Sequence, residues 1–220
     1  MRRKTFFAGL LLSSTFLLTS AWSVAQTGGF EGSVEMTMHT NGETIPVTYA
    51  LKGHKVRVEM QAMGRANVIL IDLVADTQTI LIPELKAYAV HTSKVPAAEP
   101  AATALKVADL KTTDTVAGHA CENYHLENEK FSGTACLTKE FGENPLTDAM
   151  EGPLGAQLKG DETLRKAGMP LKMVLTFKDG KRQGEQASVE VSKVAPGPVE
   201  DSALAIPDGW HKLSGLPGLQ

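Results

Sequence analysis

The sequence predicts an α+β domain: an antiparallel meander of strands with short helices as its cover. Apolar and polar residues alternate from Phe30 to Met38, the signature of a half-buried strand. Turn signals at Asn41-Gly42, Gly53-His54, Pro83-Glu84 and Asp179-Gly180 then separate further strand-like runs at hairpin distance. Helical signals gather in one stretch, which starts at Asn144-Pro145 and stops at Gly168.

The chain begins with Arg2, Arg3 and Lys4, continues in an apolar run from Phe6 to about Leu18, and reaches small residues at Ser23-Val24-Ala25. That order is a secretory signal peptide cut after Ala25, so residues 1–25 are assigned to export and 26–220 to a single domain. A spanning helix is the competing reading, and Ser13, Ser14, Thr15, Thr19 and Ser20 dilute the run too far for it. No cysteine lies near the cut to carry a lipid anchor, and no second long apolar segment follows. The mature chain is therefore expected to be a periplasmic or secreted monomer without a membrane span.

Loss of three cations and no acid takes the net charge from −3 to −6 on cleavage. A mildly acidic chain with few aromatics and no basic block makes a poor nucleic-acid binder. About 195 residues remain, one domain's worth, with enough chain to bury a sizeable core.

Within the first strand Phe30, Gly32, Val34, Met36 and Met38 share a face. The runs Ile45 to Lys52 and Lys55 to Met63 follow, and in the latter Val56, Val58 and Met60 oppose Lys55, Arg57 and Glu59. Residues 68–74 and 79–82 are apolar without alternation, so something must cover both faces of those strands. Lys86 to His91 forms another short strand, and the Ala/Pro-rich stretch 95–108 reads as an exposed loop. After the cysteine-bearing hairpin, prolines and glycines divide residues 144–168 into two helical pieces, the second from about Asp161 to Ala167. These pieces are the expected cover for the doubly apolar strands. Met169 to Lys178 and Ala187 to Val194 form a last hairpin, and Ile206-Pro-Asp-Gly-Trp210 closes the domain.

Cys121 and Cys136 are the chain's two cysteines, and in an exported protein such a pair is read as a disulfide. If they oppose each other across a hairpin, paired residue numbers sum to 257 and the loop is Asn128-Glu129. Leu126 then meets Phe131 and Tyr124 meets Gly133 on an apolar face, while His125 meets Ser132 and Asn123 meets Thr134 on a polar one. This register places the disulfide on the wet, outer face as a staple. A metal reading competes, since His119, Cys121, His125 and Cys136 are soft ligands, but alternate strand positions rarely converge on one ion.

No nucleophile elbow, zinc-protease helix, phosphate loop, calcium loop or dinucleotide fingerprint is present, so no catalytic residue, cofactor or resident metal is assigned. His39, His54, His91 and His211 read as solvated strand and turn residues. Asp72 interrupts an apolar run and reads as an edge or turn residue, with a buried acid of shifted pKa as the alternative. Methionine is the unusual usage: Met36, Met38, Met60 and Met63 lie on the first strands, with Met150, Met169 and Met173 near the helical cover. Flexible thioethers suit a wall that adapts to varied apolar ligands, though ordinary core uses them too.

The segments Phe30-Glu-Gly-Ser-Val34, Tyr49 to Met60, Ile80 to Tyr88 and the Cys121 to Cys136 hairpin resemble the DUF4412 family of exported bacterial proteins. That family is similar to the periplasmic lipoprotein carriers LolA and LolB. The resemblance implies an incomplete antiparallel half-barrel wrapped around helices, with a concave apolar face that holds acyl chains in the carriers. It brings over fold and compartment rather than carrier activity.

The sequence thus points to a non-catalytic half-barrel that binds a lipid or the acylated segment of a lipoprotein. Its candidate wall is Val34, Met36, Met38, Val56, Val58 and Met60. The alternative is an envelope interaction or stress-response protein whose cavity is filled by its own core.

Overall fold

The structure is a computed structural model, and it describes residues 30–40, 42–62, 64–92, 105–142, 162–178 and 180–214. The first strands follow the sequence pattern closely: β1 (Gly32–Thr40), β2 (Glu43–Lys52), β3 (Lys55–Ala62), β4 (Arg65–Asp72), β5 (Thr77–Ile82) and β6 (Ala87–Thr92). The second half comprises β7 (Lys106–Val116), β8 (His119–Glu127), β9 (Phe131–Thr138), the helix α1 (Glu162–Ala167), β10 (Met169–Phe177), β11 (Gln186–Pro196) and the two-residue β12 (His211–Lys212). The molecule is mostly β, with α1 the one α-helix among the described residues.

All twelve strands form one sheet in the order β12-β6-β5-β4-β3-β2-β1-β11-β10-β9-β8-β7. Neighbours are antiparallel except β12, which runs parallel to β6. The sheet does not close, since β7 and β12 are its edges. Tyr49 on β2 nevertheless touches Met169 on β10, three places away in that order, so the sheet is strongly curled. Two bulges contribute: Ser192 in β11 and Leu171 in β10 are left without ladder partners, and a bulged strand bends there.

Three buried clusters hold the sheet. The first joins Phe30, Val34, Tyr49, Leu51 and Val56 to Cys121, Cys136, Met169, Leu171 and Val191. The second joins Tyr124, Leu126, Phe131, Ala135 and Leu137 of the β8–β9 hairpin to Leu164 and Ala167 of α1 and Leu175 of β10. Val68, Leu70 and Leu81 form the third, packed against Tyr88 and Trp210.

The third cluster revises the expected cover. Strands β4 and β5 do have apolar residues on both faces, but what lies on their outer side is the C-terminal chain rather than the helical piece at 162–167. Arg57 Nη1 donates to the Ala203 carbonyl, Lys52 Nζ to Val199 O and Asp201, and Leu213 N to Tyr88 O. These contacts strap residues 199–213 across the sheet. The second expected helical piece is present as α1, and Gly168 ends it at φ +99°. A Cβ at Gly168 would lie 2.1 Å from Thr138 O, so glycine is required by space as well as by backbone angle. The first piece, from Asn144, lies outside the described residues. So do most of the loop expected over 95–108 and the residues Met63 and Met150, although Lys106 to Ala108 already belong to β7.

The Cys121–Cys136 disulfide is present, with Cα atoms 5.3 Å apart. Its setting differs from the expected one. The ladder pairs Asn123 with Cys136 and Tyr124 with Ala135, so paired numbers sum to 259 and the bridge runs diagonally. Asn128 causes the slip: its side-chain oxygen accepts from Lys130 N and Phe131 N at 2.9 Å, and its N–H reaches Phe131 O. The loop thereby becomes Glu129-Lys130. A slip of two in the sum preserves which residues share a face, so Tyr124 and Leu126 still point together. The opposite face is wet only near the turn, at Asn123, His125, Ser132 and Thr134. Cys121 and Cys136 are 2% and 3% exposed, members of the first core cluster and not an outer staple.

Candidate functional site

The six candidate wall residues lie on one face. From β1 to β6 the ladders carry no bulge, so residues paired across strands share a face. One row runs Met36, Val47, Met60, Asn67; the next runs Val34, Tyr49, Val58, Ile69, Ile80, Ala89; a third runs Gly32, Leu51, Val56, Ile71. Met38 pairs with Ile45 at the near end. No charged residue stands in these three rows between β1 and β5; Glu43, paired with Thr40, shares the face at its near end. Ile69 and Ile80 escape the sequence reading, because a run without alternation does not say which residues point which way.

In the other direction the same face continues from Met38 through Val189, Met173 and Ala135 to Tyr124. Leu164 and Ala167 of α1 cover its far end. The buried part of the wall, Val34 and Val56, instead packs with Cys121 and Cys136 on the opposite face of the β8–β9 hairpin, so the hairpin is buried on both sides and α1 does not pack on those two residues.

Burial divides the six. Val34 and Val56 are 0% and 1% exposed, packed in the first cluster, where no ligand touches them without an opening of the core. Met36 and Val58 pack against that cluster while half-exposed, and Met38 and Met60 are half-exposed as well. The accessible wall is thus Met36, Met38, Val58 and Met60, extended by Ile69, Ile80 and Val189, all half-exposed.

A separate cleft of about 330 Å³ opens between α1 and the β8–β9 hairpin, lined by Tyr124, Lys139, Glu162, Thr163, Lys166 and Ala167. Its chemistry is polar. Glu122 Oε2 accepts from both Tyr124 Oη and Lys139 Nζ at 2.9 Å. The Lys139 hydrogen bond, with that of Tyr124, holds the Glu122 carboxyl below its usual pKa. Burial, and then the Glu122 hydrogen bond, push the Tyr124 phenol up to about 12. Glu122 is therefore a carboxylate and Tyr124 a neutral phenol at ordinary pH, in a solvent-edged network worth little in stability.

The remaining singled-out residues fall into ordinary roles. Asp72 ends β4 and accepts from Ala75 N at 2.9 Å and Val74 N at 3.0 Å; the Ala75 bond leads in holding its pKa low. It is a turn residue and not a buried acid. His39, His54, His91 and His211 are exposed. Both cysteine sulfurs are in the disulfide, and His119 Nδ1 faces Glu140 Oε2 at 2.9 Å. Among the described residues no three His, Cys, Asp or Glu side chains are grouped to hold a metal ion, and no helix is long and apolar enough to cross a membrane.

An open, curled single-sheet β-protein with one continuous, methionine-bearing apolar face is the class that these features define. Within it, the chain belongs to the DUF4412 family, a domain of unknown function whose model matches residues 30–210. No curated protein matches the chain. Among solved structures, it is similar to an uncharacterized conserved protein from Thermus thermophilus, at 10% identity and a TM-score of 0.52, over 84% of this chain and 90% of that one. At lower TM-scores it is similar to MucB in the Pseudomonas aeruginosa MucA/MucB complex (0.43, 14% identity, 80% and 55% of the two chains). A LolA superfamily protein from Nitrosomonas europaea is also similar (0.37, 10% identity, 82% and 91%).

Proposed function

We propose that this protein is a non-catalytic binding protein of the periplasm or secreted space that holds an apolar ligand, a lipid or the acylated segment of a lipoprotein, against its methionine-bearing sheet face. The observation that carries the reading is the apolar face from Met38 to Ile80, half-exposed along Met36, Met38, Val58 and Met60, with no charged residue in the rows of Met36, Val34 and Gly32 between β1 and β5. Soluble proteins rarely leave so contiguous an apolar band in water without a use for it. Each methylene buried there would contribute about 0.8 kcal/mol, so an acyl chain of ordinary length suffices for firm binding. The reading retains the open half-barrel, with α1 packed on the β8–β9 hairpin.

Native mass spectrometry and organic extraction of protein purified from its exported compartment test this. A co-purifying mass that extracts as lipid is the expected result, and a ligand-free protein that also leaves fluorescent fatty acids unbound would rule it out.

A second reading rests on the full burial of Val34 and Val56. Part of the face is filled by the protein's own core, as expected of an envelope interaction protein with no small ligand. The same extraction separates the two, because this reading has nothing to extract.

A further inference from the structure

Arg182 stands at the end of the apolar face, in the turn between β10 and β11. Its guanidinium lies 3.8 Å above the ring of Phe177, Nη2 donates to Thr40 Oγ1 at 3.1 Å, and Nε donates to Glu185 Oε2 at 3.1 Å. Phe177 shares the face of Met173 and Leu175 on β10, and Thr40 shares the face of Met36 and Met38 on β1. One cation is thus tied to both strands whose apolar side chains form that end of the wall.

The turn that carries it is well fixed. Phe177 N donates to Glu185 O, Gly184 N to Phe177 O and Glu185 N to Arg182 O. Stacking on an aromatic ring orients the guanidinium plane and desolvates one side of it. Glu185 occupies the Nε edge and Thr40 one Nη2 hydrogen, while Nη1 has no partner among the described residues. A guanidinium edge that is oriented and open is a carboxylate receptor. Thr40, which the cation touches, is two residues from Met38 on an extended strand, roughly 7 Å along its backbone.

On the basis of the apolar-face reading, we propose that the ligand is a long-chain fatty acid, its carboxylate bound end-on by Arg182 and its chain laid along Met38, Met36, Val58 and Met60. The cation sets the direction of the chain: headgroup at the β10–β11 turn, tail toward β4 and β5. Glu185 competes with the carboxylate for the guanidinium, so the two residues tune headgroup affinity in opposite senses.

The experiment is displacement of a fluorescent acyl probe from the full chain at pH 8 by hexadecanoate, by hexadecan-1-ol and by acetate. The wild type is expected to prefer hexadecanoate over the alcohol by about tenfold, the scale of one solvent-edged charge-assisted contact. Acetate alone should not displace the probe. In Arg182→Gln that preference collapses while the alcohol binds as before, and in Glu185→Gln it grows. A general loss of fold cannot move the two variants in opposite directions. Equal binding of acid and alcohol by the wild type, or equal loss of both in Arg182→Gln, overturns the headgroup assignment and leaves the apolar face standing. Failure of the probe itself to bind overturns both.

Discussion

The Tyr49 hydroxyl on β2 donates a hydrogen bond to the Met169 sulfur at the start of β10, 3.3 Å away and inside the first core cluster. A buried phenol needs a partner, and the polarizable thioether supplies one without bringing in a charge. Burial raises the Tyr49 pKa well above that of a free phenol. The two strands belong to distant parts of the sheet, so this contact measures its curl.

Met169 is 3% exposed, and its truncation leaves both a cavity and an orphaned hydroxyl. Met169→Ala is therefore expected to cost about 3 kcal/mol in urea denaturation, and Tyr49→Phe about 1 kcal/mol. A Met169→Ala loss under 1 kcal/mol would mean that the curl does not depend on this core.

The disulfide closes a loop with a sequence separation of 15 and is buried on the core side of the hairpin. Cys121→Ser with Cys136→Ser is expected to lose about 3 kcal/mol or more, through loop entropy and two hydroxyls placed in an apolar cluster. Thermal melts of that variant should fall by about 6–12 °C. Labelling of the denatured, unreduced protein should find no free thiol.

The C-terminal strap makes a prediction of its own. Trp210 packs, with Tyr88, on the buried Val68, Leu70 and Leu81 of β4 and β5. Trp210→Ala should cost about 2 kcal/mol, less than a fully buried tryptophan because the ring is half-exposed. Added exposure of the outer face should appear as binding of an apolar dye. A variant as stable as wild type and without dye binding would show that the strap is idle.

Asp72 gives stability a pH dependence with a definite sign. Its folded pKa lies below the unfolded one, so its contribution is present above the ordinary carboxylate pKa and is lost as pH falls through the depressed folded value. Asp72→Ala should destabilise at pH 7 by about 1 kcal/mol, the scale of a lost turn cap, and the gap from wild type should narrow in acid. A gap that is constant between pH 7 and pH 2 would assign the effect to something other than the carboxylate.

Much of this fold is legible because period two is a direct readout of a half-buried strand. In β1 to β3 the alternation of Val34, Met36 and Met38, and of Val56, Val58 and Met60, places all six residues on the face they occupy. The hairpin register is legible in its faces but not in its pairing, because one side chain, Asn128, decides where the turn sits. The cover of β4 and β5 is not legible, because the strap from Val199 to Leu213 has almost no periodicity and Trp210 alone hints at it. Strand β7 reads in part as loop: its polar, charged sequence lies at an edge, where a bulge at Leu110 to Thr112 and exposed lysines suit a strand that must not pair further. Burial is the least legible quantity, since the sequence marks Val34 and Met38 as equals and only the curl separates them.

Ligand binding by the half-exposed part of the apolar face is the central claim. Fluorescence titration of an acyl probe into wild type and into Met38→Glu with Met60→Glu measures this directly. Both positions are half-exposed, so the variant should fold, while two carboxylates on the wall should repel an acyl chain. Saturable binding by the wild type, weakened at least tenfold in the variant with little change in melting temperature, is the predicted result. Absence of binding by the wild type, or binding that the two glutamates leave unchanged, would contradict it.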